Sequence, residues 1–270
     1  MTAAQARLAV SVRELTKIFR TGGPGGGHRA VDAVSFEVEA GGALGIVGES
    51  GSGKTTIARM LVGLERASSG AMAVLGRDRS APARGAAERN RRARELQIVF
   101  QDPYTSLDPS QSARTAVDEV LRHHGSRAGA QRTARLAKLI DQVGLTDRQA
   151  DARPRDLSGG QRQRVAIARA LAADPRVLVL DEAVSALDVS IQAQILNLLA
   201  DIRAATGIAY VLISHDLAVV RQLCDTLLVL RAGTVVERGG CAEVLDAPAE
   251  EYTRALRAAV PVPGWRPPGR

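Results

Sequence analysis

LGIVGESGSGKTT, residues 44–56, is the stretch from which the rest of the chain can be read. Four residues, Leu44 to Val47, form a short apolar run that enters a loop with glycines at Gly48, Gly51 and Gly53. From Gly48 through Glu49, Ser50, Gly51, Ser52 and Gly53 to Lys54 and Thr55, every fixed position of the G-x-x-x-x-G-K-[ST] phosphate loop is filled. Glycines let the backbone curl until successive N–H groups converge on phosphate oxygens, aided by the positive end of the helix that follows. That helix is expected to begin near Lys54, with Thr56 in its first turn. Lys54 would sit at the β and γ phosphates and the Thr55 hydroxyl would ligate Mg²⁺, so the expected ligands are ATP and Mg²⁺.

A strand feeding such a loop belongs to an α/β sheet, and the chain supplies others. Val177 to Leu180 is short and wholly apolar, as a parallel strand covered on both faces must be, and Ala209 to Ile213 has the same character. Asp181 and Glu182 follow the first of these, at the carboxyl end where ligands of open α/β sheets gather. Asp181 is the candidate Mg²⁺ ligand, and Glu182 the candidate for polarising an attacking water. Alone, an acidic pair at a strand end serves equally as a helix N-cap. The phosphate loop tips the reading towards catalysis.

Outward from this core, Leu8 to Arg13 and Ala33 to Val38 alternate apolar and polar residues, which suits a half-buried antiparallel sheet. The glycine-rich run from Thr21 to Gly27 precedes no helix and reads as a turn between those strands. From about Ala86 to Val165 the pattern is helical and charged, with Arg132 to Val143 amphipathic, and Ile191 to Ala204 is a further amphipathic helix. From Val260 the chain is Pro-rich and without period, which predicts poor order in isolation. The fold class expected is therefore α/β: a mostly parallel sheet with flanking helices on a phosphate-loop core, an N-terminal antiparallel β subdomain and an inserted helical subdomain.

Composition narrows the function classes. Hydrophobic residues reach 45% but aromatics only 3%, so the core must be aliphatic. The net charge of +7 rests on 36 basic residues of which three, Lys17, Lys54 and Lys138, are lysine. The densest basic run, Arg84 to Arg94, has Glu88 within it, Glu95 beside it and no interleaved aromatic, and reads as a solvated helical face rather than a nucleic-acid surface. His28, His123 and His124 match no motif and read as surface residues. Cys224 and Cys241 have no metal-ligand spacing and suit a reducing compartment. No apolar run is long enough to span a bilayer, and no basic region with an apolar block opens the chain. The expectation is a protein made and kept in the cytoplasm.

LSGGQ, residues 157–161, followed by RQRVAIARAL to Leu171, resembles the signature sequence of ABC ATPases. Ser158, Gly159, Gly160 and Gln161 open a helix whose free N–H groups suit an anionic phosphate. The resemblance covers roughly Leu8 to Pro263 and implies further roles. Gln101 looks like the glutamine that touches Mg²⁺ and links to a membrane subunit. The run from Ser185 to Asp188 looks like the loop that crosses to a partner ATPase. His215 looks like the switch histidine at the γ-phosphate, and Phe19 like the aromatic that stacks on adenine. Two such subunits meet head to tail, so that Ser158 of one completes the site around Lys54 of the other.

QDPYTSLDP, residues 101–109, and EYTRALRAAVP, residues 251–261, are similar to the peptide and nickel importer branch of that family, and to the second ATPase of its pairs. The resemblance implies an ATPase domain over 8–245, its helical subdomain at about 86–165, and a C-terminal extension over 246–270. It also implies transmembrane permease partners, a second ATPase subunit in a favoured hetero-pair or, as the alternative, a second copy of this chain in a head-to-tail dimer, an extracytoplasmic solute-binding protein, and a peripheral place on the cytoplasmic face of the membrane. Di- or oligopeptide import is the expected task, with nickel import the alternative. Ala183 stands where many relatives have proline, a feature that nickel-import ATPases share. A Cys-rich tail is missing, so no iron–sulfur cluster is expected. A soluble ABC ATPase acting on ribosomes or DNA is the competing class, disfavoured by the single phosphate loop and single signature.

Overall fold

The computed structural model describes residues 8–20, 27–102, 106–124 and 129–259. Strands β1 (Leu8–Arg20) and β2 (Gly27–Glu39) pair antiparallel, with Val10 opposite Val38 and Val12 opposite Phe36. Their alternation puts Val10, Val12, Val34, Phe36 and Val38 inside. Strands β4 (Ser69–Val74) and β5 (Arg77–Asp78) complete a four-stranded sheet of order β2-β1-β4-β5. The glycine-rich turn expected over Thr21 to Gly27 falls, but for Gly27, outside the described residues, as does the tail from Val260.

The second sheet has the order β10-β9-β3-β8-β7-β6. Its members are β3 (Ala43–Val47), β6 (Leu96–Val99), β7 (Val177–Asp181), β8 (Ala209–Ile213), β9 (Thr226–Arg231) and β10 (Thr234–Gly240). All neighbours are parallel except β9 and β10, which form an antiparallel edge. Every residue of β3, β7 and β8 is buried, because both faces of this sheet are covered.

The two-residue period of the strands divides the interior into two cores. Val177, Val179, Val211, Ile213, Leu44 and Ile46 face helix α1 (Lys54–Val62) and the antiparallel sheet. Leu178, Leu180, Tyr210 and Leu212 face the other way. That second core takes in helices α3 (Ala113–His124), α4 (Ala130–Gln142), α6 (Gly159–Leu171), α7 (Val189–Thr206) and α8 (Leu217–Leu223), with the short α5 (Asp147–Asp151) between α4 and α6. Leu136, Leu139 and Ile140 are the buried stripe of α4. Since the helical segment shares a continuous core with the sheet, its position relative to β7 and β8 is set by packing rather than by its connecting loops.

One expectation needs correcting. The stretch from Ala86 to Val165 is not helical throughout. Helix α2 (Gly85–Glu95) is followed at once by β6, whose Leu96 lies opposite Val177 and whose Val99 lies opposite Leu180. Four residues are too few to show a period, and their partner strand lies far along the chain. Helix α2 has no buried residue, and Glu88 and Glu95 pair with Arg91 and Arg92 of the basic run and with Arg77 and Arg79 outside it, so the run is a solvated face. His124 also departs from its surface reading: it is half-buried, its Nδ1 has no hydrogen-bond partner among the described residues, and burial lowers its pKa.

Helices α9 (Cys241–Asp246) and α10 (Glu251–Ala258) close the described chain, and Tyr252 and Leu256 of α10 pack on the second core. Among the described residues no helix is long and apolar enough to cross a membrane.

Candidate functional site

The loop after β3 is shaped by its glycines for two separate reasons. Gly48, Gly51 and Gly53 all have positive φ, at 152°, 80° and 102°. A Cβ on Gly48 would lie 2.2 Å from the Leu230 carbonyl oxygen, and one on Gly53 would lie 2.4 Å from that of Ala30. Gly51 has nothing within 4 Å, so there glycine answers only to backbone conformation. Gly53 is the N-cap of α1, no side chain caps the helix, and its first turn holds no acidic residue. The N–H groups of that turn are left for an anion.

Lys54 is folded into this loop, with 5% of its surface exposed. Its ammonium donates to the carbonyls of Gly48 and Glu49, both at 2.7 Å, and to Ser52 Oγ at 3.3 Å. Burial lowers its pKa, against the raising effect of Glu182, Asp181 and Glu49. The ammonium is thus surrounded by acceptors that a phosphate oxygen can replace.

Asp181, the last residue of β7, is 5% exposed and accepts a hydrogen bond from Thr55 Oγ1 at 3.2 Å. Burial pushes its carboxyl above the usual range and Glu182 adds to this, while the Thr55 bond and the charges of Arg59 and Lys54 oppose it. Glu182 sits in the left-handed region with φ 50°, a conformation that costs a residue with a side chain about 1–3 kcal/mol. Its N–H donates to the Ile213 carbonyl at 2.9 Å, and its own carbonyl accepts from the Ser185 N–H and Oγ at 3.1 and 3.0 Å. The strained turn sets Glu182 Oε1 3.5 Å from His215 Nδ1. Gln101 donates from Nε2 to Ser185 Oγ at 3.3 Å, which joins it to the same turn.

A cavity of about 260 Å³ is lined by the loop, Thr56, Glu182, Phe19 and His28. Phe19 is 38% exposed, with Lys17 Nζ 4.8 Å from its ring centre. His28 is the residue that sequence reasoning left out of the site. It lies opposite Phe19 in the β1–β2 ladder, and only the strand register could have revealed it. A larger hollow of about 430 Å³, between the far end of α1 and α2, contains none of these loop and acidic groups.

Ser158 is the N-cap of α6 in a reciprocal capping box: its Oγ accepts from Gln161 N–H at 3.3 Å, and Gln161 Oε1 accepts from Ser158 N–H at 2.9 Å. Gly160 permits close contact with α7, since a Cβ there would lie 2.4 Å from Ile191 Cγ2. Gly159 lines a separate hollow of about 290 Å³ with Gln101, Asp102, Arg162 and Leu187. Asp188, the N-cap of α7, is exposed and makes no side-chain cap bond. Within one chain, then, Lys54, Thr55, Glu182 and Phe19 line the loop cavity, Asp181 and His215 adjoin it through Thr55 and Glu182, and Gln101 is tied to its margin through Ser185. Ser158, Gly159, Gly160, Gln161 and Asp188 do not line it.

Among the described residues, no group of three or more His, Cys, Asp or Glu is arranged to hold a metal ion. Thr55 and Asp181 offer hard oxygen donors, a set that suits Mg²⁺ held mainly by water and phosphate oxygens.

Known proteins give this geometry a context. The pattern of the ABC transporter family matches residues 31–185. The oligopeptide transport ATP-binding protein OppD of Mycobacterium bovis is 47% identical over 265 residues, which are 96% of this chain and 43% of that protein. A putative peptide import ATP-binding protein of Brucella abortus is 46% identical over 88% of this chain and 72% of its own length. The glutathione import ATP-binding protein GsiA of Shigella flexneri is 47% identical over 86% of this chain and 37% of its own length. The chain therefore spans less than half the length of the OppD and GsiA relatives. Among solved structures, a dimeric ATP-binding cassette in a post-hydrolysis state with ADP and Pi superposes with a TM-score of 0.76 at 28% identity, covering 86% of this chain and 98% of that one. The cbiO1 subunit from Clostridium perfringens gives 0.77 at 26% identity, covering 89% and 92%.

Proposed function

Since the chain belongs to the ABC transporter family, we propose that it binds and hydrolyses ATP as the energising subunit of a peptide importer. The observation that carries this reading is the hydrogen bond from Thr55 to Asp181 at the mouth of the phosphate loop, with Glu182 the next residue along.

Lys54 exchanges its bonds to the Gly48 and Glu49 carbonyls for oxygens of the β and γ phosphates, and the loop and α1 N–H groups hold the remainder. Phe19, on the open side of the cavity, stacks on adenine. Thr55 and Asp181, with Gln101 as a further oxygen donor, would hold Mg²⁺, which would supply positive charge to the phosphates. Glu182, held towards the cavity by its left-handed turn, accepts a proton from the attacking water. His215 stays beside Glu182 and contacts the γ-phosphate.

Ser158, Gly159, Gly160, Gln161 and Asp188 lie outside the loop cavity of their own chain, and we assign them to the site of a partner ATPase facing head to tail. Dimer closure and ATP binding are then one event, because neither subunit encloses the nucleotide alone. The partner is a second ATPase or a second copy of this chain. The pair works under transmembrane permease subunits on the cytoplasmic face of the membrane, with a solute-binding protein delivering cargo on the far side. Residues 8–245 form the ATPase domain and residues 246–270 a C-terminal extension. Peptide cargo is favoured because the OppD and Brucella relatives carry peptide transport or import in their names, and the third imports glutathione, itself a short peptide.

The test is uptake in cells whose only copy carries Glu182→Gln, with labelled short peptides and radioactive nickel measured in parallel. Loss of peptide uptake alone is expected. Loss of nickel uptake alone would transfer the reading to metal import, and no change in either would overturn the cargo assignment and turn the search to other solutes and to a soluble ATPase.

A further inference from the structure

The first peptide unit of the phosphate loop is gripped at both ends. Its carbonyl, on Gly48, accepts from Lys54 Nζ at 2.7 Å. Its N–H, on Glu49, donates to the phenol oxygen of Tyr252 at 3.2 Å, across 203 residues of sequence. We propose that Tyr252 is a positioning residue for nucleotide binding, through which the C-terminal helix α10 holds the entrance of the phosphate loop.

Tyr252 is itself firmly placed. Its ring packs on the second core beside Leu256 and lies 5.0 Å from the guanidinium carbon of Arg231, a cation–π contact from the last residue of β9. The preceding residue, Leu230, presents the carbonyl that leaves no room for a side chain on Gly48. One wall, the end of β9, therefore backs both the ring and the peptide that the ring holds. The start of α10 is anchored as well: Glu237 of β10 accepts from the N–H groups of Ala249 and Glu250 at 2.7 and 3.3 Å, which fixes the chain as it enters the helix.

The chemistry gives this contact a function beyond stability, and here it rests on the reading that the loop binds ATP. When Lys54 turns to the phosphates, the Gly48 carbonyl loses its donor, while the Glu49 carbonyl keeps the Ser52 N–H at 3.2 Å. Among the described residues, the Tyr252 bond is then the hydrogen bond left on the Gly48–Glu49 peptide. It acts from behind the loop, since Tyr252 does not line the cavity and does not compete with nucleotide. Loss of the hydroxyl should leave a loop that must be ordered at the expense of binding.

The experiment compares wild type with Tyr252→Phe, which keeps the ring and removes the bond. Amide hydrogen exchange is followed over residues 47–53 without nucleotide, alongside ATP affinity and steady-state hydrolysis. Expected are exchange at Glu49 about tenfold faster, an ATP dissociation constant and KM raised about three- to tenfold, and kcat within about twofold. Arg231→Leu, which frees the ring, should shift the same quantities less. Tyr210→Phe removes a different phenol bond, the buried one from Tyr210 to the Leu199 carbonyl at 2.8 Å. It should lower thermal stability without changing exchange at Glu49. Unchanged exchange at Glu49 in Tyr252→Phe would overturn the proposal, and so would faster exchange with unaltered ATP affinity. Wild type that binds no ATP would sink the functional reading instead, while exchange at Glu49 would still judge the contact.

Discussion

The Thr55 hydroxyl hydrogen-bonds the Asp181 carboxylate at 3.2 Å, joining the start of α1 to the end of β7 across the intervening strand β8. Both are oxygen donors, and Asp181 is buried. Thr55→Ala removes one donor and leaves the other less satisfied. Hydrolysis should fall at least about a hundredfold, and Mg²⁺ titrations at fixed ATP should show weakened metal dependence of binding. Full Mg²⁺ dependence in Thr55→Ala would remove the hydroxyl from the metal's ligands.

Burial of Asp181 raises its pKa in the folded chain, so the folded state holds this proton more readily than the unfolded one. Between the ordinary carboxylate value and the raised one, stability therefore falls as pH rises. Without nucleotide or metal, Asp181→Asn should gain thermal stability relative to wild type as pH rises above the ordinary carboxylate value of about 4. Melting curves across that range are the check; a gap that narrows as pH rises contradicts the assigned sign.

Glu182→Gln keeps the shape of the turn and removes the base. ATP binding should persist, and phosphate release should drop by about 10²–10⁴. Loss of binding together with turnover would make Glu182 a structural residue of that turn.

Lys54→Ala leaves the Gly48 carbonyl without its donor, takes one of two donors from the Glu49 carbonyl, and removes the cation that meets the phosphates. ATP affinity should fall about tenfold or more, read by fluorescence titration. Unaltered affinity would assign Lys54 to loop structure alone.

Arg203 of α7 donates to the carbonyls of Gly41 and Leu223 at 2.8 and 3.2 Å and pairs with Asp225. It joins the turn before β3 to the end of α8, away from the nucleotide cavity. Arg203→Ala should cost about 1–2 kcal/mol of stability in denaturant titration, a modest figure because Asp225 is half-exposed, and leave ATP affinity unchanged.

Some of this was legible along the chain because it depends on neighbours in sequence. The phosphate loop is contiguous, and its glycines answer to local backbone geometry at Gly51 and to close approach at Gly48 and Gly53. The apolar runs of β3, β7 and β8 announced strands covered on both faces, and α4 showed its stripe at Leu136, Leu139 and Ile140. The α/β class with an antiparallel N-terminal sheet followed from those periods. Strand β6 did not, since Leu96 to Val99 is too short to carry a period and follows α2 without a turn residue between them.

The sequence by itself determined the loop, the acidic pair, the signature segment and the class of fold, because each is written in adjacent residues or in a repeating period. Only the tertiary structure decided which distant residues meet. Strand order brings Asp181 to Thr55, the β1–β2 register sets His28 beside Phe19, the left-handed turn at Glu182 brings it to His215, and the docking of α10 sets Tyr252 under Glu49. These contacts arise from packing around two shared cores, where the energy depends on surfaces buried together rather than on distance along the chain.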